Sequence, residues 1–119
     1  MDFRKTVGQS LLCVAFIFGV GQAAVSGDFS GELKVADRNV ILERYDKATE
    51  IYKNIISSAD SPVVVAYAHY KLGALYKQQR LIVKARQQFI KGLACLKEAG
   101  QKNHQIAKYL TQAVNATDG

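Results

Sequence analysis

Apolar residues recur at intervals of three and four along most of the chain after residue 30, which is the spacing of one face of an α-helix. The first such stripe includes Leu33, Ala36, Val40 and Ile41 and continues to Ile56. Because this stretch is longer than a usual globular helix, the pattern predicts two helices with a tight turn near residues 42–44. Ser30 stands where an N-cap is expected, ahead of an acidic residue in the first turn.

Stop and start signals divide the rest of the chain. The segment SSADSP, Ser57–Pro62, offers Asp60 or Ser61 as a cap and a proline at the first helical position. The β-branched stretch that follows could begin a strand, but its apolar spacing and its length favour a helix. A turn at residues 78–82 precedes a further apolar stripe that begins at Ile82.

The last part of the chain carries two more boundary signals. Gly100 is placed to end the helix before it, and Asn103 to cap a final helix. Strand signals are weak throughout. The sequence therefore predicts an all-α fold of four or five helices in antiparallel pairs.

The N-terminal segment has a different organisation. Arg4 and Lys5 precede a run of ten apolar residues at 11–20, and small residues follow it. This pattern is typical of a secretory signal peptide at residues 1–23, with a linker at 24–29 and a helical domain at 30–115. It predicts an exported protein, periplasmic or secreted. The alternative is an uncleaved membrane anchor formed by residues 7–25, which is barely long enough to span a bilayer.

Charge is distributed unevenly along the 119 residues, whose formal net charge is +6. Residues 71–108 hold nine basic residues and one acidic residue, whereas residues 28–60 hold five basic and seven acidic ones. Such a balance suggests an anionic partner or simply a solvated basic surface. A length of 119 residues predicts a single domain.

The sequence carries no recognised catalytic constellation: it has no HExxH, no phosphate-cradling loop and no G-x-G-x-x-G. Two cysteines and two histidines without clustered spacing predict no metal site. Cys95 lies in an apolar helical stretch, which predicts a buried side chain. We therefore expect a protein that is not an enzyme and that uses neither a metal nor a cofactor.

One spacing identifies the helical unit. Leu72 and Gly73 are followed by Tyr76, and then by Ala85, Phe89 and Gly92. This order resembles the tetratricopeptide repeat, in which Leu-Gly-x-x-Tyr on a first helix precedes Ala-x-x-x-Phe on a second. Small residues at 73 and 85 would allow the two helices to approach closely. The family usually has a tryptophan where His69 stands here, and we expect that histidine to be packed or hydrogen-bonded in the core.

An earlier segment matches the same repeat more loosely. Tyr45, Ala48 and Tyr52 fit its second helix, but Val35-Ala36 replaces Leu-Gly and Asn39 replaces the aromatic residue. The resemblance therefore implies a short tetratricopeptide-like α-solenoid of about two repeats plus a closing helix. Because stacks of this kind generally need about three units, we expect marginal stability or self-association through an open end.

In tetratricopeptide proteins the first helix of each pair lines a concave groove that holds a peptide or a partner helix. In the better-matched repeat this implies partner-binding roles for Tyr67, Tyr70, Lys71, Ala74, Lys77 and Gln78. In the first repeat the corresponding residues are Leu33, Lys34, Asp37 and Ile41, and on the closing helix they are His104, Gln105 and Lys108. Tyrosines supply rigid contact area and lysines attract carboxylates.

Two functions follow as hypotheses. The first is a non-enzymatic adaptor of an exported or envelope complex that binds a protein or peptide partner, such as an acidic segment, in the groove. The alternative is a basic module that binds an anionic polymer or a membrane surface through residues 71–108. Nucleic acid is not expected, because no nucleic-acid-binding motif is present.

Overall fold

The computed structural model describes residues 29–118, and these form five α-helices. The helices are α1 (Ser30–Ile41), α2 (Tyr45–Ser58), α3 (Pro62–Gln78), α4 (Ile82–Glu98) and α5 (Gln105–Ala116). Successive helices pack as antiparallel pairs in a short tetratricopeptide-like α-solenoid, with α1–α2 and α3–α4 as the pairs and α5 as the closing helix. The all-α prediction is confirmed. Residues 1–23, which carry the leader pattern, lie outside the described part of the chain.

The same kind of turn joins the two helices of each pair. Glu43 and Arg80 adopt left-handed backbone conformations, with φ of 59° and 67°. Beyond them, the amide of Arg44 donates to the Asn39 carbonyl at 2.8 Å, and the amide of Leu81 donates to the Tyr76 carbonyl at 2.9 Å. Both turns are therefore Schellman motifs, which satisfy the free carbonyls at a helix C-terminus. The predicted turns near residues 42–44 and 78–82 are confirmed.

The predicted helix caps have mixed outcomes. The hydroxyl of Ser61 accepts a hydrogen bond from the amide of Val64 at 3.4 Å, as expected, and Gly100 has a φ of 74° just beyond α4. The assignment of Ser30 as a cap is wrong, because the carbonyl of Phe29 accepts from the amide of Leu33 and Ser30 is already helical. Asn103 is also wrong: His104 caps α5, with Nδ1 accepting from the amide of Ile106 at 3.1 Å.

The α3–α4 pair is the most extensive helix interface and forms the centre of the core. Gly73 on α3 faces the ring of Phe89 on α4, and a Cβ atom at Gly73 would lie only 2.5 Å from Phe89 Cε1. Ala85 is fully buried and Leu72 nearly so. Because a side chain at residue 73 would occupy the place of the ring, glycine is required for this close approach.

The α1–α2 pair repeats this packing 37 residues earlier in the chain. Ala36 stands at the position of Gly73, Ala48 at that of Ala85 and Tyr52 at that of Phe89, and all three are buried. Asn39, in place of the aromatic residue, is buried as well, and its Nδ2 donates to the Val35 carbonyl at 2.8 Å. The loosely matched segment therefore builds the same unit as the better-matched one.

Not every member of the apolar stripes faces the core. Ile41 is 79% exposed and Ile82 is 41% exposed. Ile41 is the last residue of α1 and Ile82 the first residue of α4, so each lies beside a turn where no further helix covers it. Cys95 is buried, as predicted.

Candidate peptide-binding groove

A groove lies between α3 and α5, with the ring of Phe89 from α4 at its floor. It is lined by Tyr70, Ala74, Lys77, Gln78, Phe89, Tyr109, Gln112, Ala113 and Ala116. The α3 residues among these lie on successive turns of one helix face, because positions three and four apart are neighbours on a helix. We call this concavity the α3–α5 groove.

Four aromatic side chains are connected through Tyr70, and we call them the aromatic row; three of them, Tyr70, Phe89 and Tyr109, line the groove. The ring centroid of Tyr70 lies 6.4 Å from that of Tyr67, 5.9 Å from that of Phe89 and 6.3 Å from that of Tyr109. All three ring pairs are tilted, with interplanar angles of 31° to 44°. Such a row offers rigid apolar area with polar hydroxyl tips, which suits contact with a peptide.

Beside this row, a charged contact joins α1 to α3. Lys71 Nζ lies 3.4 Å from Asp37 Oδ1 and 5.9 Å from the centroid of the Tyr67 ring. The hydroxyl of Tyr52 on α2 donates to the same Asp37 oxygen. Burial, followed by this hydrogen bond and the nearby carboxylate, raises the pKa of Tyr52 far above its usual range. Lys71 is therefore partly neutralised by its own chain.

Lys77 contrasts with Lys71 in the groove. It is exposed, and no carboxylate of the described residues lies within ion-pair distance of it. No acidic side chain occurs among the described residues that line the groove. Gln78 closes one side, where its Nε2 donates to the hydroxyl of Tyr45 at 3.2 Å. Among the described residues that line the groove, an incoming carboxylate would therefore meet one uncompensated cation, Lys77.

The structure brings together four of the residues expected to bind a partner: Tyr70, Ala74, Lys77 and Gln78. Tyr67 joins them through its contact with Tyr70, and Lys71 lies next to Tyr67. Lys108 does not join them. It lies on another face of α5, where it lines a different concavity together with His104.

Sequence reasoning missed the groove residues supplied by α5, namely Tyr109, Gln112, Ala113 and Ala116. The closing helix has no Leu-Gly signature to fix its rotation, so the choice of His104 and Lys108 as groove residues rested on order alone. The apolar stripe of α5 placed Leu110 in the core, where it is fully buried, but it did not distinguish the face of Tyr109, which is 42% exposed, from that of Thr111.

His69 behaves as a core residue, as predicted. It is buried on α3, and its Nδ1 lies 2.8 Å from Oε1 of Gln88 on α4. Burial lowers its pKa to about 4; the hydrogen bond with Gln88 acts in the opposite direction, and the charge of Lys91 adds to the lowering. The imidazole is therefore neutral at physiological pH and joins α3 to α4 by a hydrogen bond.

Within the described residues, no helix is long and apolar enough to cross a membrane. No group of three histidine, cysteine, aspartate or glutamate side chains gathers in a metal-binding arrangement within residues 29–118. Comparison of the chain with protein-family models, curated proteins and solved structures finds no match.

Proposed function

We propose that this protein is an exported member of the tetratricopeptide-repeat class that acts as a non-enzymatic adaptor. In this proposal it binds an extended peptide or a helix of a partner protein in the α3–α5 groove. The observation that carries the proposal is the aromatic row centred on Tyr70, which lies in a groove where Lys77 is the only charged side chain among the described lining residues. Export is proposed from the sequence pattern of residues 1–23 alone.

The geometry favours a partner segment with one acidic group. Lys71 already pairs with Asp37, so a ligand carboxylate would have to compete for it, whereas Lys77 has no such competitor among the described residues. Charge complementarity of this kind contributes to specificity and to the rate of association. The partner's carboxylate is therefore expected at Lys77 and its apolar side chains at Tyr70 and Tyr109.

A capture experiment tests the adaptor. The full chain is immobilised, exposed to a soluble lysate and to an envelope fraction at low and at high salt, and the retained proteins are identified by mass spectrometry. We expect a defined protein that stays bound at high salt and is lost with Tyr109→Ala or Lys77→Glu. Lys53→Glu, an exposed substitution on α2 with the same change of charge, serves as the control. Retention that survives both groove variants would contradict the proposal.

The alternative function, a basic module that binds an anionic polymer or a membrane surface, makes a different prediction. Polymer binding falls steeply with salt and would depend on Lys84, Arg86 and Lys91 about as much as on Lys77. Two of these side chains already have intramolecular contacts: Lys84 lies over the Tyr76 ring and Arg86 pairs with Asp118. We therefore place the adaptor first.

A further inference from the structure

A second concavity lies between α4 and α5, on a face of α5 different from the one that lines the groove. It is lined by Ile90, Leu93, Ala94, Lys97, Lys102, Asn103, His104, Ala107, Lys108 and Thr111. We call it the α4–α5 trough. The described α5 residues that line the trough and those that line the groove are different, so the trough and the groove are separate surfaces.

The trough has an apolar part and a basic part. One part is formed by apolar side chains of α4, of which Ile90 is 44% exposed. The other part carries three lysines: Lys97 at the end of α4, Lys102 in the α4–α5 connection and Lys108 near the start of α5. No acidic residue is among the described residues that line it. The C-terminus of α4 and the N-terminus of α5 meet at this basic end, where their opposite helix dipoles offset each other, so the positive charge there comes from the lysines.

The geometry of the trough matches a helix. Ile90, Leu93, Ala94 and Lys97 follow the i, i+3, i+4, i+7 rule along α4, and Ala107 and Thr111 are one turn apart on α5. Two neighbouring helices with such ridges leave a groove into which the ridge of a third helix packs. In this chain α3 is followed by α4, which covers it, whereas α5 has no following helix among the described residues.

We propose that the α4–α5 trough docks an amphipathic helix of a partner protein that has apolar residues along one face and acidic residues at one end. The apolar face lies on Leu93 and Ala94, and the acidic end meets Lys97, Lys102 and Lys108. This helix takes the place that the next helix of a longer stack would occupy. The proposal does not rest on the α3–α5 groove, because the two surfaces have no lining residue in common.

Two synthetic peptides of the same length test the proposal. Each is roughly 18 residues long, because shorter helices are marginal in water. Both carry a leucine stripe at helical spacing, and they differ only at one end, where one has a cluster of glutamates and the other a cluster of lysines. Their binding to the full chain is measured by fluorescence anisotropy. We expect the acidic peptide to bind at least about tenfold more tightly than the basic one.

Variants of the chain locate the binding site. Lys102→Glu with Lys108→Glu should weaken binding of the acidic peptide by about tenfold or more. Lys47→Glu with Lys53→Glu on α2 changes the net charge equally and should have no comparable effect. Ala94→Gln places an uncharged, longer side chain on the exposed apolar floor and should also weaken binding. Lys77→Glu alters the α3–α5 groove and separates the two surfaces: a peptide that is lost with Lys77→Glu but retained with Lys102→Glu and Lys108→Glu would be bound in the groove, and the trough proposal would be wrong.

Three results would overturn the proposal. Equal binding of the acidic and basic peptides, or binding of neither, would contradict the attraction of the three lysines for an acidic helix end. Binding that is insensitive to Ala94→Gln and is displaced by heparin at low salt only would identify a surface for anionic polymers. A concentration-dependent dimer in sedimentation, lost with Ala94→Gln, would show that a second copy of this chain occupies the trough.

Discussion

The absence of a Cβ atom at Gly73 determines how α3 and α4 pack. The missing Cβ leaves the space that the ring of Phe89 fills, and that ring in turn contacts Tyr70 in the groove. The resemblance of residues 72–89 to the tetratricopeptide repeat implied the close approach of the two helices at Gly73, whereas the contact between Phe89 and Tyr70 came from the structure. The pairing of Lys71 with Asp37 could not be predicted, since the two residues lie on different helices and many other charges could have been partners.

Gly73→Ala should destabilise the protein although alanine is the better helix former. The helix preference would favour alanine by roughly 0.5–1 kcal/mol, but overpacking against Phe89 costs about 1–3 kcal/mol. We expect a lower free energy of unfolding, measured by urea denaturation. Gly31→Ala is the matched control, because a Cβ there meets nothing within 4 Å, and it should be neutral or slightly stabilising. Equal stabilisation by both substitutions would show that the Phe89 ring yields without cost.

At the scale of the elements, the two turns within the helix pairs show that the position of a turn can be predicted from sequence patterns, whereas the backbone conformation of its residues cannot. The turn near residues 42–44 was predicted because the apolar stripe was too long for one helix, and the turn at residues 78–82 was placed between two stripes. Neither turn contains the glycine that normally marks a left-handed residue. Glu43 and Arg80 occupy those positions instead. Side chains with a Cβ are strained in this conformation, so the turns are maintained by the packing of the helices on either side.

Glycine at residue 80 should relieve the backbone strain of the left-handed conformation. Arg80→Gly should raise the free energy of unfolding by about 1 kcal/mol, since glycine adopts a positive φ without steric cost. Thermal denaturation followed by circular dichroism measures the change. Lys53→Gly, in the interior of α2 and with the same loss of charge, should lower stability by about 1 kcal/mol. If both substitutions lower stability equally, residue 80 does not hold a left-handed conformation in solution.

The rotation of the closing helix marks the limit of prediction from sequence. The first two pairs each carry small and aromatic residues at fixed spacing, which fixes the faces of four helices. α5 has only a general apolar stripe, and its groove residues follow from the burial of Ala107 and Leu110. The part of the candidate site on α3 was therefore predictable, whereas the part on α5 required the structure.

At the scale of the whole molecule, the helices are supported unequally. α3 packs against α2, α4 and α5, whereas α1 packs mainly along α2. In a linear stack, each unit is stabilised by its neighbours, so the ends open before the centre.

Native-state hydrogen exchange should reveal this gradient. We expect the amides of α3 and α4 to exchange only through global unfolding, and those of α1 and α5 to exchange faster by roughly tenfold or more. Nuclear magnetic resonance at neutral pH resolves the helices separately. Uniform protection of all five helices would show that the short stack unfolds as one cooperative unit and that α1 and α5 do not unfold separately.

Gly92 has a consequence for recognition, although it contacts neither concave surface directly. A Cβ on this residue would lie 3.0 Å from Leu110 on α5 and 3.3 Å from the carbonyl oxygen of Ala66 on α3. The absence of that carbon therefore sets how closely the closing helix approaches the rest of the stack. A substitution at residue 92 during evolution could therefore move α5 and change the width of the α3–α5 groove. The ligand preference would then change although every residue that contacts the ligand stays the same.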